Sequence, residues 1–67
     1  MISNDTELAT TLERIRRLQD QLAALRRMET NPVNYRLSSS GFLDEVDRMQ
    51  LDVREYLSIP AEVARVA

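Results

Sequence analysis

Sixty-seven residues without cysteine or histidine exclude a disulfide scaffold and a thiolate metal site, and they remove the commonest general base and metal ligand. Nine arginines and no lysine stand against eleven acids, for a net charge of −2, which lacks the positive excess of a domain that grips nucleic acid through phosphates. One glycine and two prolines leave few turns, which disfavours a many-stranded β fold and favours a few long helices.

The first helix is expected over about residues 4–29. Asn4 is a good N-cap, and Glu7, three residues on, can return a hydrogen bond to the cap's own N–H. Asp5 and Glu7 suit the positive end of the helix dipole. An apolar seam then runs through Leu8, Ile15, Leu18, Leu22 and Leu25 in steps of seven, three, four and three, the period of a helix that packs lengthwise on another. With Leu8 at heptad position a, Ile15 and Leu22 also fall at a, and Leu18 and Leu25 at d. Thr11 takes one d position. Leu12 at e and Met28 at g widen the stripe, which favours a bundle over a two-stranded coiled coil.

Thr30-Asn31-Pro32 ends this helix, because Asn tolerates the left-handed C-cap and Pro blocks continuation. Residues 31–38 then read as a connection. Its Val33, Tyr35 and Leu37 would either plug the open end of a helical hairpin or form an exposed recognition loop with Tyr35 and Arg36 as anchors, since Tyr and Arg are common hot-spot residues.

The second helix is expected over about 39–57, with Ser38 as N-cap and Leu37 and Phe42 placed as a hydrophobic staple. Its stripe is Phe42, Val46, Met49, Val53 and Tyr56, in alternating steps of four and three. Leu43 and Leu57 flank it at e. Leu51 falls at f, opposite the seam, where it is a solitary exposed side chain or marks a second contact face. Ser58-Ile59-Pro60 interrupts, and Pro is tolerated only in a helix's first turn. Residues 58–67 therefore read as a short third helix or a tail.

Chemistry-bearing motifs are scarce. Asp44 and Asp47 are i,i+3 neighbours, as a weak hard-cation site would need, but no glycine-bearing ligand loop adjoins them and Arg48 lies within pairing distance. A solvated, self-paired face is the simpler account. Arg14, Arg16, Arg17, Arg26 and Arg27 circle the first helix and alternate with Glu13 and Asp20, which describes ordinary i,i+3 and i,i+4 pairs. Ser38-Ser39-Ser40-Gly41 has no His, Cys or Lys anywhere in the chain to activate a serine. Backbone N–H groups there could hold an anion, although redundant N-capping explains the serines as well. No catalytic residue, cofactor or metal is expected, and the chain does not read as an enzyme.

MISNDTEL followed by TLERIRRLQDQLAALRR resembles the N-terminal helix of small bacterial antitoxin-type transcriptional regulators, and FLDEVDRMQLDVREYL is similar in style to their second helix. In that family a helical hairpin precedes a helix-turn-helix domain, which has no counterpart here. The resemblance implies dimerisation or partner contact through the hairpin. It does not imply DNA binding.

The reading as a whole is an all-α antiparallel helical hairpin forming a single domain over 1–67. A chain this short rarely gains more than a few kcal/mol from its own core. A lone hairpin also covers one side of each stripe, so closure as a homodimeric four-helix bundle is expected. The interface would use Leu8, Leu12, Ile15, Leu18, Leu22, Leu25, Phe42, Val46, Met49, Val53 and Tyr56. Arg14, Arg17, Tyr35, Arg36 and Leu51 would contact another protein. An RNA-gripping hairpin dimer and a structural subunit of a larger assembly are the alternatives. No apolar run approaches the roughly 20 residues that span a bilayer, and the polar, acidic N-terminus is unlike a signal peptide. A cytoplasmic location fits the lack of cysteine.

Overall fold

The computed structural model describes residues 1–61. Two helices, α1 (Asp5–Met28) and α2 (Pro32–Leu57), pack antiparallel as a hairpin. The expected all-α hairpin is the architecture found. At 24 and 26 residues, the helices are rods of roughly 36 and 39 Å at 1.5 Å per residue.

The start of α1 follows its sequence signal with one change of partner. The Glu7 N–H donates to the Asn4 side chain at 2.8 Å, satisfying one of the orphan donors of the first turn. The return bond goes elsewhere: the Glu7 carboxylate accepts from the Ser3 N–H at 2.7 Å, not from the N–H of Asn4.

The larger correction concerns the connection. Residues 31–38 are not a loop, because α2 begins at Pro32. Asn31 caps it, its side chain accepting from the Val33 and Asn34 N–H groups at 2.9 and 3.4 Å. Pro32 then sits at the first helical position, where its missing N–H costs nothing and its fixed φ suits the helix. Asn31 accordingly has extended backbone, not a left-handed C-cap. No residue, glycine included, has positive φ among the described residues. Only Glu29, Thr30 and Asn31 join the helices, a normal length for an αα-hairpin.

The early start removes the expected cap at Ser38 and the Leu37–Phe42 staple. Ser39 and Ser40 lie inside α2, and their hydroxyls donate to the Arg36 and Leu37 carbonyls. Gly41 is also interior to α2. A Cβ built on it meets nothing within 4 Å, so Gly41→Ala should stabilise the hairpin by about 0.5–1 kcal/mol. A thermal melt should show a midpoint several degrees higher, and an unchanged or lower midpoint would contradict this.

The inner stripe of α2 gains two members. Tyr35 is half-buried and Ser39 is 3 % exposed, so the stripe reads Tyr35, Ser39, Phe42, Val46, Met49, Val53, Tyr56, keeping steps of four and three throughout. Opposite it, Ile15 and Leu22 of α1 are buried, while Leu8, Leu18 and Leu25 are half-buried. Ile15, Val46 and Met49 form the core cluster, with Leu18 and Val53 packed against it. Ser58 caps the end of α2. Most of the expected third helix or tail over 58–67 falls on residues 62–67, outside the described residues.

Candidate functional site

Around its inner seam the hairpin presents two flanks, the outward face of each helix, and the tip. In an antiparallel pair the e positions of both helices lie on one flank and the g positions on the other. The flanks differ in chemistry.

The g flank is charged. Arg14, Glu45, Arg48 and Asp52 border one polar hollow there, together with Met1 and Thr11. The Met1 amino group lies 3.4 Å from Asp52, and Arg48 is paired with Glu45 three residues back. A smaller apolar dent between Leu18, Gly41 and Phe42 continues this flank towards the tip.

The e flank carries exposed leucines. Leu12 is 47 % exposed, Leu43 46 % and Leu57 63 %. Leu12 was expected to widen the buried seam, but the hairpin's own packing leaves about half of it in water. Met28, at a g position near the tip of the opposite flank, is more exposed still. At the open end of the e flank the Tyr56 hydroxyl donates to Asp5 Oδ1 at 2.5 Å, a contact that sequence reading did not anticipate. Only the antiparallel register brings residues 51 positions apart together.

That bond, with partial withdrawal from water and the charges of Asp5 and Glu7, holds the Tyr56 phenol above its ordinary range. The folded state thus favours the neutral phenol. The resulting stabilisation is fully present below the unfolded tyrosine value of about 10 and is lost as pH rises through the higher folded value. A spectrophotometric titration should show tyrosinate forming later in the folded chain than in urea, with the delay removed by Tyr56→Phe. Identical titration of the folded and unfolded chains would refute the contact.

Among the residues expected to meet a partner, Arg17 is tied within its own helix. It donates to Glu13 at 3.3 Å, and Arg16 bonds the same carboxylate at 2.8 Å. Arg16 is the larger influence holding the Glu13 carboxyl below its usual range. Arg16 also lies 4.0 Å from Asp20. Arg14 belongs to the charged g flank. Leu51 is 54 % exposed on the outward face of α2, near Asp44 and Asp47 in helical register, so it stands in a polar setting.

Tyr35 and Arg36 are at the tip. They border a polar hollow with Arg26, Glu29, Thr30 and Pro32. Among the described residues Arg26, Arg27 and Arg36 have no carboxylate within ion-pair distance, unlike Arg16, Arg17 and Arg48. Arg26 and Arg27 also lie in the last turn of α1, where cations suit the helix dipole.

Among the described residues no group of three or more acids is arranged to hold a metal ion, and Asp44 and Asp47 are not joined by a third ligand. No helix among the described residues is long and apolar enough to cross a membrane. Against known proteins, the chain matches no family model, no curated protein and no solved structure.

Proposed function

We propose that this chain is a non-catalytic protein–protein interaction module, a small antitoxin-like or regulatory protein that works as a homo-oligomer in the cytoplasm. The observation that carries this reading is the mismatch between its core and its apolar surface. Among the described residues four apolar side chains are buried (Ile15, Leu22, Val46 and Met49), and none of them is completely enclosed, while Leu12, Leu43 and Leu57 stand exposed along one flank. A hairpin with so small a core gains most by covering that flank.

The serines are already engaged with carbonyls of their own helix or lie exposed. With no histidine, cysteine or lysine in the sequence, no side chain is placed to activate them. These facts support an interaction role over a catalytic one.

The tip supports a second reading, a hairpin dimer that grips RNA, through Arg26, Arg27 and Arg36, which have no carboxylate within ion-pair distance among the described residues. The −2 net charge weighs against it. Sedimentation equilibrium over a wide concentration range tests the first reading, which requires a dimer or higher species with a measurable dissociation constant. A chain that stays helical and monomeric throughout would overturn it. A gel shift on RNA, weakening steeply with salt, would move the balance to the second reading.

A further inference from the structure

The exposed flank has an internal order that bears on what covers it. Three observations fix the register of the two helices. Asp5 meets Tyr56, Ile15 and Val46 share the core cluster, and Arg26 and Arg36 border one hollow. Residues at the same level along the hairpin therefore have numbers that sum to about 61 or 62.

The e positions of α1 are Asp5, Leu12, Gln19 and Arg26. Those of α2, read in the opposite direction, are Leu57, Gln50, Leu43 and Arg36. They form four rungs across the flank. Asp5 stands beside Leu57 at the open end, then Leu12 beside Gln50, Gln19 beside Leu43, and Arg26 beside Arg36 at the tip. The two middle rungs each pair one leucine with one uncharged glutamine. Charge appears only at the ends, negative at the opening and positive at the tip.

The whole hairpin shares this polarity. Residues 21–43 hold three arginines and one acid, whereas residues 1–20 and 44–61 together hold five arginines and nine acids.

We propose that this flank is the docking surface for a second copy of the chain, turned end for end about a two-fold axis. The inference rests on the homo-oligomer reading above and adds the face and the orientation. A two-fold contact uses the same patch on both copies, and this patch is complementary to itself only in that orientation. End-for-end stacking lays each α1 on the α1 of the other copy. Arg26 then falls over Asp5 of the second copy, and Leu12 over its Gln19.

Within each middle layer, Leu12 of one copy lies diagonal to Leu43 of the other, with Gln50 and Gln19 on the opposite diagonal. The apolar side chains gather into two clusters, and the glutamine amides face one another. Stacking tip on tip would instead set Arg26 and Arg36 of both copies in one layer, a like-charge contact that opposes association. The g flank offers no such self-complementary order, because Arg14, Arg48, Glu45 and Asp52 crowd it.

Cysteine crosslinking in the full chain, which has no cysteine of its own, reads the orientation directly. In Leu12→Cys/Gln19→Cys the two thiols lie seven residues apart on one helix, roughly 10 Å along its axis, too far for a disulfide within one copy. Mild oxidation should give a covalent dimer from the double variant and little from either single variant. In sedimentation, Leu43→Arg should raise the dimer dissociation constant at least tenfold, since it sets an unpaired charge in the apolar cluster.

Self-association that persists in Leu43→Arg, with no covalent dimer from the double variant, would overturn this face and leave the homo-oligomer reading standing. A wild-type chain that is monomeric at every concentration would overturn both. Equal crosslinking by the single variants would overturn the end-for-end orientation. Should Leu43→Arg fail to fold, the crosslinking pattern still decides the outcome.

Discussion

Ile15→Ala should lower stability by about 2–5 kcal/mol, the usual cost of truncating a buried isoleucine and leaving a void. In most proteins that is a fraction of the total. Here it is comparable to the whole contribution expected from the core of so short a chain. Ile15 is 7 % exposed and sits in the cluster with Val46 and Met49. Ile15 lies on α1 and the other two on α2, so the site cannot collapse without moving one helix against the other. Circular dichroism should show a substantially unfolded chain at 25 °C, or a thermal midpoint lower by more than about 8 °C. Leu37→Ala is the matching control. Leu37 is 73 % exposed, and its truncation should stay within about 0.5 kcal/mol of the parent. Equal effects from the two substitutions would mean that the core is not where the hairpin places it.

The second large effect is expected at Ser39. Among the described residues it is the most buried polar one, at 3 % exposure, and it occupies an inner position between Tyr35 and Phe42. By the register of the hairpin it stands level with Leu22, which is itself buried. A small side chain there lets the two helices approach. Ser39→Leu should therefore force them apart and cost about 1–3 kcal/mol. Ser39→Ala should be neutral or slightly stabilising. The Ser39 hydroxyl bonds only its own helix, to the Arg36 carbonyl at 3.4 Å, and alanine is the better helix former. Chemical denaturation of the pair reads this directly. A Ser39→Leu variant more stable than the parent would show that the space is a void and not a close approach.

How far the fold was legible depended on the type of signal. The stripe from Leu8 to Leu25 and the cap at Asn4 were readable because both are local: periodicity and a side chain bonding an N–H three residues away. The connection was misread because Asn31-Pro32 carries two opposite meanings. Proline cannot continue a helix, but it is well placed to begin one. The chain uses it as an end and a start within three residues. A connection over 31–38 leaves Tyr35 out of the inner stripe. Serine also looks polar in a pattern that asks for apolar residues, so the stripe appeared to begin at Phe42.

The surface was less legible than the core. Leu12, Leu43 and Leu57 were placed at e from spacing alone. Their standing together on one flank depends on the antiparallel register, and so does the distinction between a leucine-bearing flank and a charged one. The pairing of Arg17 with Glu13 was foreseeable as an i,i+4 contact. The separation of Arg26 from Glu29, three residues on, was not, because the Glu29 carboxylate accepts from the Asn31 N–H where the chain turns.

Two amphipathic helices, and the start of the first, follow from residue spacing and a single cap, because those properties are set within one or two turns of backbone. Which apolar side chains are buried and which stay in water follows from the packing of the hairpin. Burial depends on the level at which the helices face each other, and that level is fixed by contacts such as Tyr56 with Asp5, between residues 51 positions apart. The seam from Leu8 to Leu25 is largely spent on the chain's own second helix. Leu12, Leu43 and Leu57 stay exposed on the flank beside it.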